Sequence, residues 1–281
     1  MPTGSPLVIK IGGSVARDLD ASWWDDVAAA SLRHQAVLVH GWSRPLRDLQ
    51  QARGRQPVFL TDQCGHRSRL TDAEVLSEIA EVSGALRALI CAQLALRGVR
   101  VVALEAARDG LLRAVVRPQR WWIDQRLQPM TNLVGPVHAV NAVVLRSWLD
   151  QADALIVTPL AKAAQHPYVN VDGDRAAAKI AAELRAPALV LVTDVDGVLV
   201  GGVPVRRLTL SSLPSVRSQL DGGMRKKVAA AAAAVNDGVP MVVIGRAVVT
   251  ALVAGHAGTQ LSGDAPVPAS VPAAAKVSVH E

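Results

Sequence analysis

The chain has 281 residues, half of them hydrophobic, and a net charge of +6 carried by 24 arginines and only six lysines. That length allows a large buried core in one α/β domain or two closely fused lobes, and the basic balance favours an anionic partner. With no lysine-rich run and no aromatic–basic interleaving, nucleic acid is excluded as the natural partner.

In chain order, short β-branched runs alternate with longer Ala/Leu stretches. Strands are expected at 7–11, 36–39, 99–104, 154–158, 188–193 and 240–244, and helices at 72–97, 174–184 and 224–236. Most of the strand runs are continuously apolar, as in strands covered on both faces. Strand–helix–strand repetition predicts an α/β, three-layer αβα sandwich with a mostly parallel central sheet. Ligands in such sheets bind beyond the carboxyl ends of the strands. The segment 108–140, mixing prolines, tryptophans and arginines, is expected to hold a hairpin over that face. Residues 263–281 read as a disordered Pro/Ala-rich tail.

The lysines carry the chemistry. Lys10 lies in an apolar strand that runs through Ile11 straight into Gly12 and Gly13, and Lys227 closes Gly222-Gly223-Met224-Arg225-Lys226-Lys227, a glycine turn opening a helix. An ammonium beside glycines with bare N–H groups suits transferable phosphate. In Asn170-Val171-Asp172-Gly173-Asp174, Asp174 either caps the helix that follows or bridges both lysines, while Asn170 offers an amide to a substrate. No downstream acidic ligand is present, which excludes a calcium loop. The turn from Thr193 through Asp194, Val195, Asp196, Gly197 and Val198 to Leu199 either holds a nucleotide or is a solvated β-turn. His40, before Gly41 and Trp42, reads as a core histidine. Arg69, just ahead of the long helix, suits a carboxylate.

Two stretches are basic. Residues 41–70 hold six arginines against two aspartates, a local net of +4, and residues 108–126 hold five against two, a net of +3. An acidic macromolecular partner fits both. Cys64 and Cys91 stand 27 residues apart and read as reduced thiols. The apolar run 187–205 is broken by Asp194 and Asp196, so it is not a membrane span. With no signal-peptide pattern in residues 1–6, a soluble, cytoplasmic protein is expected.

Taken together, Lys10-Ile-Gly-Gly-Ser, Leu38-Val-His-Gly41, Ser68-Arg69-Leu-Thr-Asp, Asn170-Val-Asp-Gly-Asp174, Thr193-Asp-Val-Asp-Gly and Gly223-Met-Arg-Lys-Lys227 resemble the amino acid kinase family over about residues 7–260. The similarity is greatest to the acetylglutamate kinase branch, and within it to kinases acting on 2-aminoadipate or glutamate attached to an amino-group carrier protein. The resemblance implies a kinase domain over 1–262, with a substrate lobe to about 160 and an ATP lobe from 161. It implies Lys10, Lys227 and Asp174 as catalytic residues, and backbone donors to phosphate at Gly12, Gly13 and Gly41. It further implies acceptor contacts from Gly41, Trp42, Arg69 and Asn170, and ATP contacts from 193–199 and Asp221. ATP with magnesium on its phosphates, an acidic carrier protein and a homodimer are implied partners.

Three departures fall on the acceptor side. Trp42 stands where the family has a second glycine, Arg87 replaces an asparagine in the long helix, and Glu105 enters a loop that is usually glycine-rich. The implied function is ATP-dependent phosphorylation of the side-chain carboxylate of an N-acylated acidic amino acid on a carrier, with a changed acceptor. Plain N-acetylglutamate kinase activity and a catalytically silent nucleotide-binding regulator are the alternatives.

Overall fold

The computed structural model describes residues 6–264, so nearly all of the expected tail lies outside the described residues. An eight-stranded sheet runs in the order Arg207–Thr209, Thr259–Ser262, Met241–Gly245, Leu189–Val192, Leu7–Ile11, Ala36–His40, Ala154–Thr158, Val101–Glu105. The last six strands of that order are mutually parallel. Thr259–Ser262 runs antiparallel to Met241–Gly245 and parallel to Arg207–Thr209 at the edge. These two strands were not anticipated from the sequence. They are short, and each buries one leucine (Leu208, Leu261), too little to leave a pattern.

All six anticipated strands are present, with small shifts at the ends. The strand expected from Val99 begins at Val101, because Val99 N–H still bonds Leu94 O at the end of the long helix. Helices Ala21–His34, Ala73–Ala95 and Val249–Val253 cover one face of the sheet, where Ile9, Ile11, Leu38 and Ile156 point. Helices Ala142–Leu149, Gly173–Leu184 and Gly222–Asn236 cover the other, where Val8, Val37, Val39 and Val157 point. This is the three-layer sandwich expected. Alternation along the first strand places Lys10 on the Val8 side, beneath the two alanine-rich helices that begin at Gly173 and Gly222.

A second, four-stranded antiparallel sheet joins Arg67–Arg69, Phe59–Asp62, Gln119–Ile123 and Arg126–Met130. Its last two strands form the anticipated hairpin, turned by Asp124 and Gln125, both left-handed (φ 47° and 62°) as a tight hairpin turn requires. This sheet carries Arg69. Among the described residues, no helix is long and apolar enough to cross a membrane.

Candidate active site

Lys10, Asp174 and Lys227 meet. Lys10 Nζ lies 2.7 Å from Asp174 Oδ1, and Lys227 Nζ lies 3.0 Å from Oδ2 and 3.2 Å from Oδ1. Both lysines are 8% exposed. Asp174 does not cap its helix. Asp172 does, accepting from the N–H groups of Asp174 and Arg175 at 2.9 and 3.0 Å. The cap at Asp172 leaves Asp174 in the first turn with its carboxylate free for the lysines. Burial alone would raise that carboxyl, but the two ammonium groups outweigh it and hold it down at about 2. Lys227 is pushed below its ordinary value by burial and by Lys10, with Asp174 opposing. The cluster is one carboxylate serving two cations, an arrangement with positive charge to spare.

The glycine turns beside it are packed backbone to backbone. A Cβ on Gly13 would sit 2.5 Å from Ser43 N, and one on Gly41 would sit 2.6 Å from Gly13 N, so only glycine permits this crossing. The expectation that all three glycine amides face phosphate needs correcting. Gly12 N–H bonds Val192 O (3.1 Å) and Gly41 N–H bonds Ile11 O (2.8 Å), both closing off the strand ends. Gly13 N–H has no such acceptor among the described residues. It is the available donor, and Gly12 and Gly41 serve close approach.

Arg69 and Asn170, expected to meet the acceptor, are tied into one network. Asn170 Nδ2 donates to Thr71 Oγ1 (3.3 Å), whose hydroxyl donates to Arg69 O (3.2 Å). Asn132 Nδ2 donates to the same carbonyl (3.1 Å), and Asn132 Oδ1 accepts from Thr71 N–H (2.7 Å). Arg69 Nη1 donates to Gln50 Oε1 (2.9 Å), and the guanidinium sits over the Phe59 ring at 5.1 Å. Lys226, next to Lys227, donates to Arg67 O (2.9 Å), which links the Gly222 helix to the strand bearing Arg69. Asn132 and Gln50 were not singled out in the sequence, and Thr71 figured only within the Ser68–Asp72 motif, with no role of its own. Isolated polar residues carry no spacing signal; only the fold brings them together.

Trp42 is half-buried, with its indole packed against apolar clusters on both sides and its Nε1 unpartnered. His40 is fully buried on the face opposite Lys10, its Nε2 3.0 Å from Thr158 Oγ1. Burial, then Arg87 and Lys10, lower it to about 4, so it is a neutral core residue at neutral pH. Arg87 lies 3.4 Å from the same hydroxyl and 3.7 Å from Glu105, so two of the three departures from the family pattern pair with each other.

Residues 5–245 match the profile of the amino acid kinase family. The LysW-aminoadipate/LysW-glutamate kinase of Saccharolobus islandicus is 32% identical over 247 residues, covering 86% of this chain and 92% of its own. The chain belongs to the amino acid kinase family. It is a phosphotransferase. Among solved structures, N-acetylglutamate synthase from Neisseria gonorrhoeae, complexed with coenzyme A and N-acetyl-glutamate, superposes with a TM-score of 0.77 at 25% identity. The match covers 94% of this chain and 61% of that longer one. Carbamate kinase from Giardia lamblia, bound to AMP-PNP, superposes at 0.66 over 94% of this chain and all of its own, and at 13% identity it shares the fold alone.

The turn from Thr193 to Leu199, expected to hold a nucleotide, packs against the neighbouring strand ends. Thr193 N–H bonds Gly245 O (3.0 Å), and Asp196 pairs with Arg246 at 2.5 Å on an exposed surface. A Cβ on Gly197 would sit 2.7 Å from Thr259 Oγ1, which accepts from Val198 N–H at 2.8 Å. Asp194 and Leu199 are exposed, Val195 is half-buried, and Asp221 caps the Gly222–Asn236 helix through Met224 N–H (2.7 Å). Thr193–Leu199 thus stands at the carboxyl end of one central strand, and Asp221 heads the helix that carries Lys227.

Proposed function

We propose that the chain is an ATP-dependent kinase that phosphorylates the side-chain carboxylate of an N-acylated acidic amino acid. The acceptor is 2-aminoadipate, glutamate or a close analogue, held on an acidic amino-group carrier protein, and the product is an acyl phosphate. The observation that carries the reading is the buried Lys10–Asp174–Lys227 cluster. Two ammonium groups fixed by one carboxylate match the charge that builds on a transferring phosphoryl group, and they are organised before it arrives. A carboxylate acceptor is already ionised at neutral pH and needs no base, which suits a site whose nearby histidine is neutral and turned to the other face. The acceptor oxygen attacks the γ-phosphorus in line. Lys10, Lys227 and the Gly13 amide take up the charge, while Arg69 and Asn170 hold the amino acid's α-carboxylate and amide.

ATP would lie against Thr193–Leu199 and Asp221. Magnesium would ride on its phosphates and neutralise part of their charge, because both oxygens of Asp174 are already taken by ammonium groups. The intact cluster, and an indole packed into the core, favour a working enzyme over a silent regulator.

The carrier is supported by the names of the relatives and by where the unpaired arginines lie. In the 41–70 stretch, Arg44, Arg47, Arg53 and Arg55 are all ion-paired, the last two with glutamates of the long helix, leaving Arg67 and Arg69. In the 108–126 stretch, none of the five arginines forms a salt bridge among the described residues. There Arg113 and Arg117 line a cleft of about 760 Å³ with Lys162, His138 and His166 and no carboxylate. Steering of an acidic carrier therefore falls chiefly to this second stretch. A homodimer in the cytoplasm completes the reading.

A hydroxamate assay with carrier-linked aminoadipate, carrier-linked glutamate and free N-acetylglutamate tests this. The expected result is a preference for carrier-linked acceptor that weakens with added salt. Equal turnover of free N-acetylglutamate, insensitive to salt, would remove the carrier and leave plain N-acetylglutamate kinase activity.

A further inference from the structure

We propose that Gln50 is a positioning residue for the acceptor: it aims the Arg69 guanidinium while leaving its charge uncompensated for an incoming carboxylate. The inference rests on the reading of Arg69 as the group that meets that carboxylate.

Gln50 lies near the end of the Ser43–Ala52 helix and is 4% exposed. Its Nε2 donates to Glu78 Oε2 (2.8 Å), and its Oε1 accepts from Arg69 Nη1 (2.9 Å). Glu78 is buried on the long helix beside Val75, Ile79 and Leu46, with Arg53 at 3.2 Å and Arg55 both bonding its other oxygen. This fixed carboxylate can only accept, so the Gln50 NH₂ must face it and the amide oxygen must face Arg69. The amide cannot flip without losing both bonds.

The result is unusual for the neighbourhood. Arg44, Arg47, Arg53 and Arg55 each have a carboxylate within 4 Å, whereas Arg69 has none among the described residues. Burial and the charge of Arg47 both disfavour its cation, so the half-buried guanidinium lacks an anion. A glutamate at position 50 would supply one. The amide supplies the same hydrogen-bond geometry without the charge, and the rest of the guanidinium's N–H donors remain for a substrate. The Phe59 ring packs against the guanidinium, and the hold of Asn132 and Thr71 on Arg69 O fixes the backbone that carries it.

The test measures kcat, acceptor KM and ATP KM, with melting temperatures, for Gln50→Met and Gln50→Glu in both the native and the Arg69→Ala backgrounds. Gln50→Met should raise acceptor KM about tenfold with kcat and ATP KM little changed. Gln50→Glu gives Arg69 its own carboxylate but sets a second oxygen against Glu78 Oε2, so it should raise acceptor KM further and also lower the melting temperature. Both effects should vanish when Arg69 is already alanine. Should the glutamate variant melt early, the methionine variant and its coupling to Arg69 decide the matter alone. Effects of Gln50 variants that persist undiminished without Arg69, or a folded Gln50→Met that binds acceptor like the native protein, would overturn the positioning role. An Arg69→Ala variant with unchanged acceptor KM would instead defeat the reading of Arg69 itself.

Discussion

In the Lys10–Asp174–Lys227 cluster, proposed as the phosphoryl side, two buried ammonium groups share one carboxylate; at Arg69, proposed as the acceptor side, one half-buried guanidinium has no carboxylate among the described residues and leans on an amide. Both leave positive charge for an anionic ligand, but by different devices. The first over-supplies cations around a fixed anion, which suits a group whose charge changes during reaction. The second withholds an anion, which suits a carboxylate that stays charged while bound. Phosphate chemistry and acceptor grip are thereby separable, and variants can show whether they are.

The largest effect should come from Asp174→Asn, which leaves two buried ammonium groups without the carboxylate that orients them. It should lower kcat by about 10²–10³-fold in steady-state assays at saturating acceptor. A loss of less than tenfold would break the phosphoryl half of the comparison. Next, Arg69→Ala should raise acceptor KM by about 10–100-fold with kcat little affected. A fall in kcat at constant KM would merge the two sides. A smaller effect, on stability, is expected from Asn132→Ala. It strands the fully buried Thr71 N–H and frees Arg69 O, and should cost about 1–3 kcal/mol by denaturant unfolding. An unchanged midpoint would mean that this amide does not hold Arg69 and Asn170 together.

The pH dependence gives the mildest test and concerns both faces of the sheet. His40 is lowered from 6.5 to about 4, so the unfolded chain takes up a proton that the folded chain refuses between those values. Stability should therefore fall as pH drops through that window. Asp174, lowered from 3.8 to about 2, extends the loss further into acid, since its contribution is present above 3.8 and disappears as pH falls through about 2. His40→Gln should flatten the upper part of the curve and leave the lower part. An unchanged profile between pH 6.5 and 4 would place the acid sensitivity elsewhere.

The central strands and the lysine cluster were legible in the sequence because their signals are local: apolar runs, glycine turns and rare lysines at strand and helix ends. Asp174 was legible as a candidate and the family resemblance pointed to a role beside both lysines, but its own segment left cap and bridge open. Choosing between cap and bridge required seeing Asp172 take the cap. The acceptor side was less legible. Gln50, Glu78 and Asn132 act through contacts spanning 28 and 61–63 residues along the chain, and no motif marks them. The basic stretch 41–70 misled for the same reason. Its arginines look free in sequence, yet the glutamates that neutralise Arg53 and Arg55 sit on the long helix, beyond the stretch. The edge strands at 207–209 and 259–262 each bury a single leucine, below what periodicity detects.

The most direct test of the account is a crystal structure with a non-hydrolysable ATP analogue and magnesium. The account predicts that Lys10 Nζ and Lys227 Nζ both contact the γ-phosphate, with Asp174 still between them and Arg69 facing the acceptor pocket. A γ-phosphate bound away from these three residues, with the cluster intact and unoccupied, would contradict it.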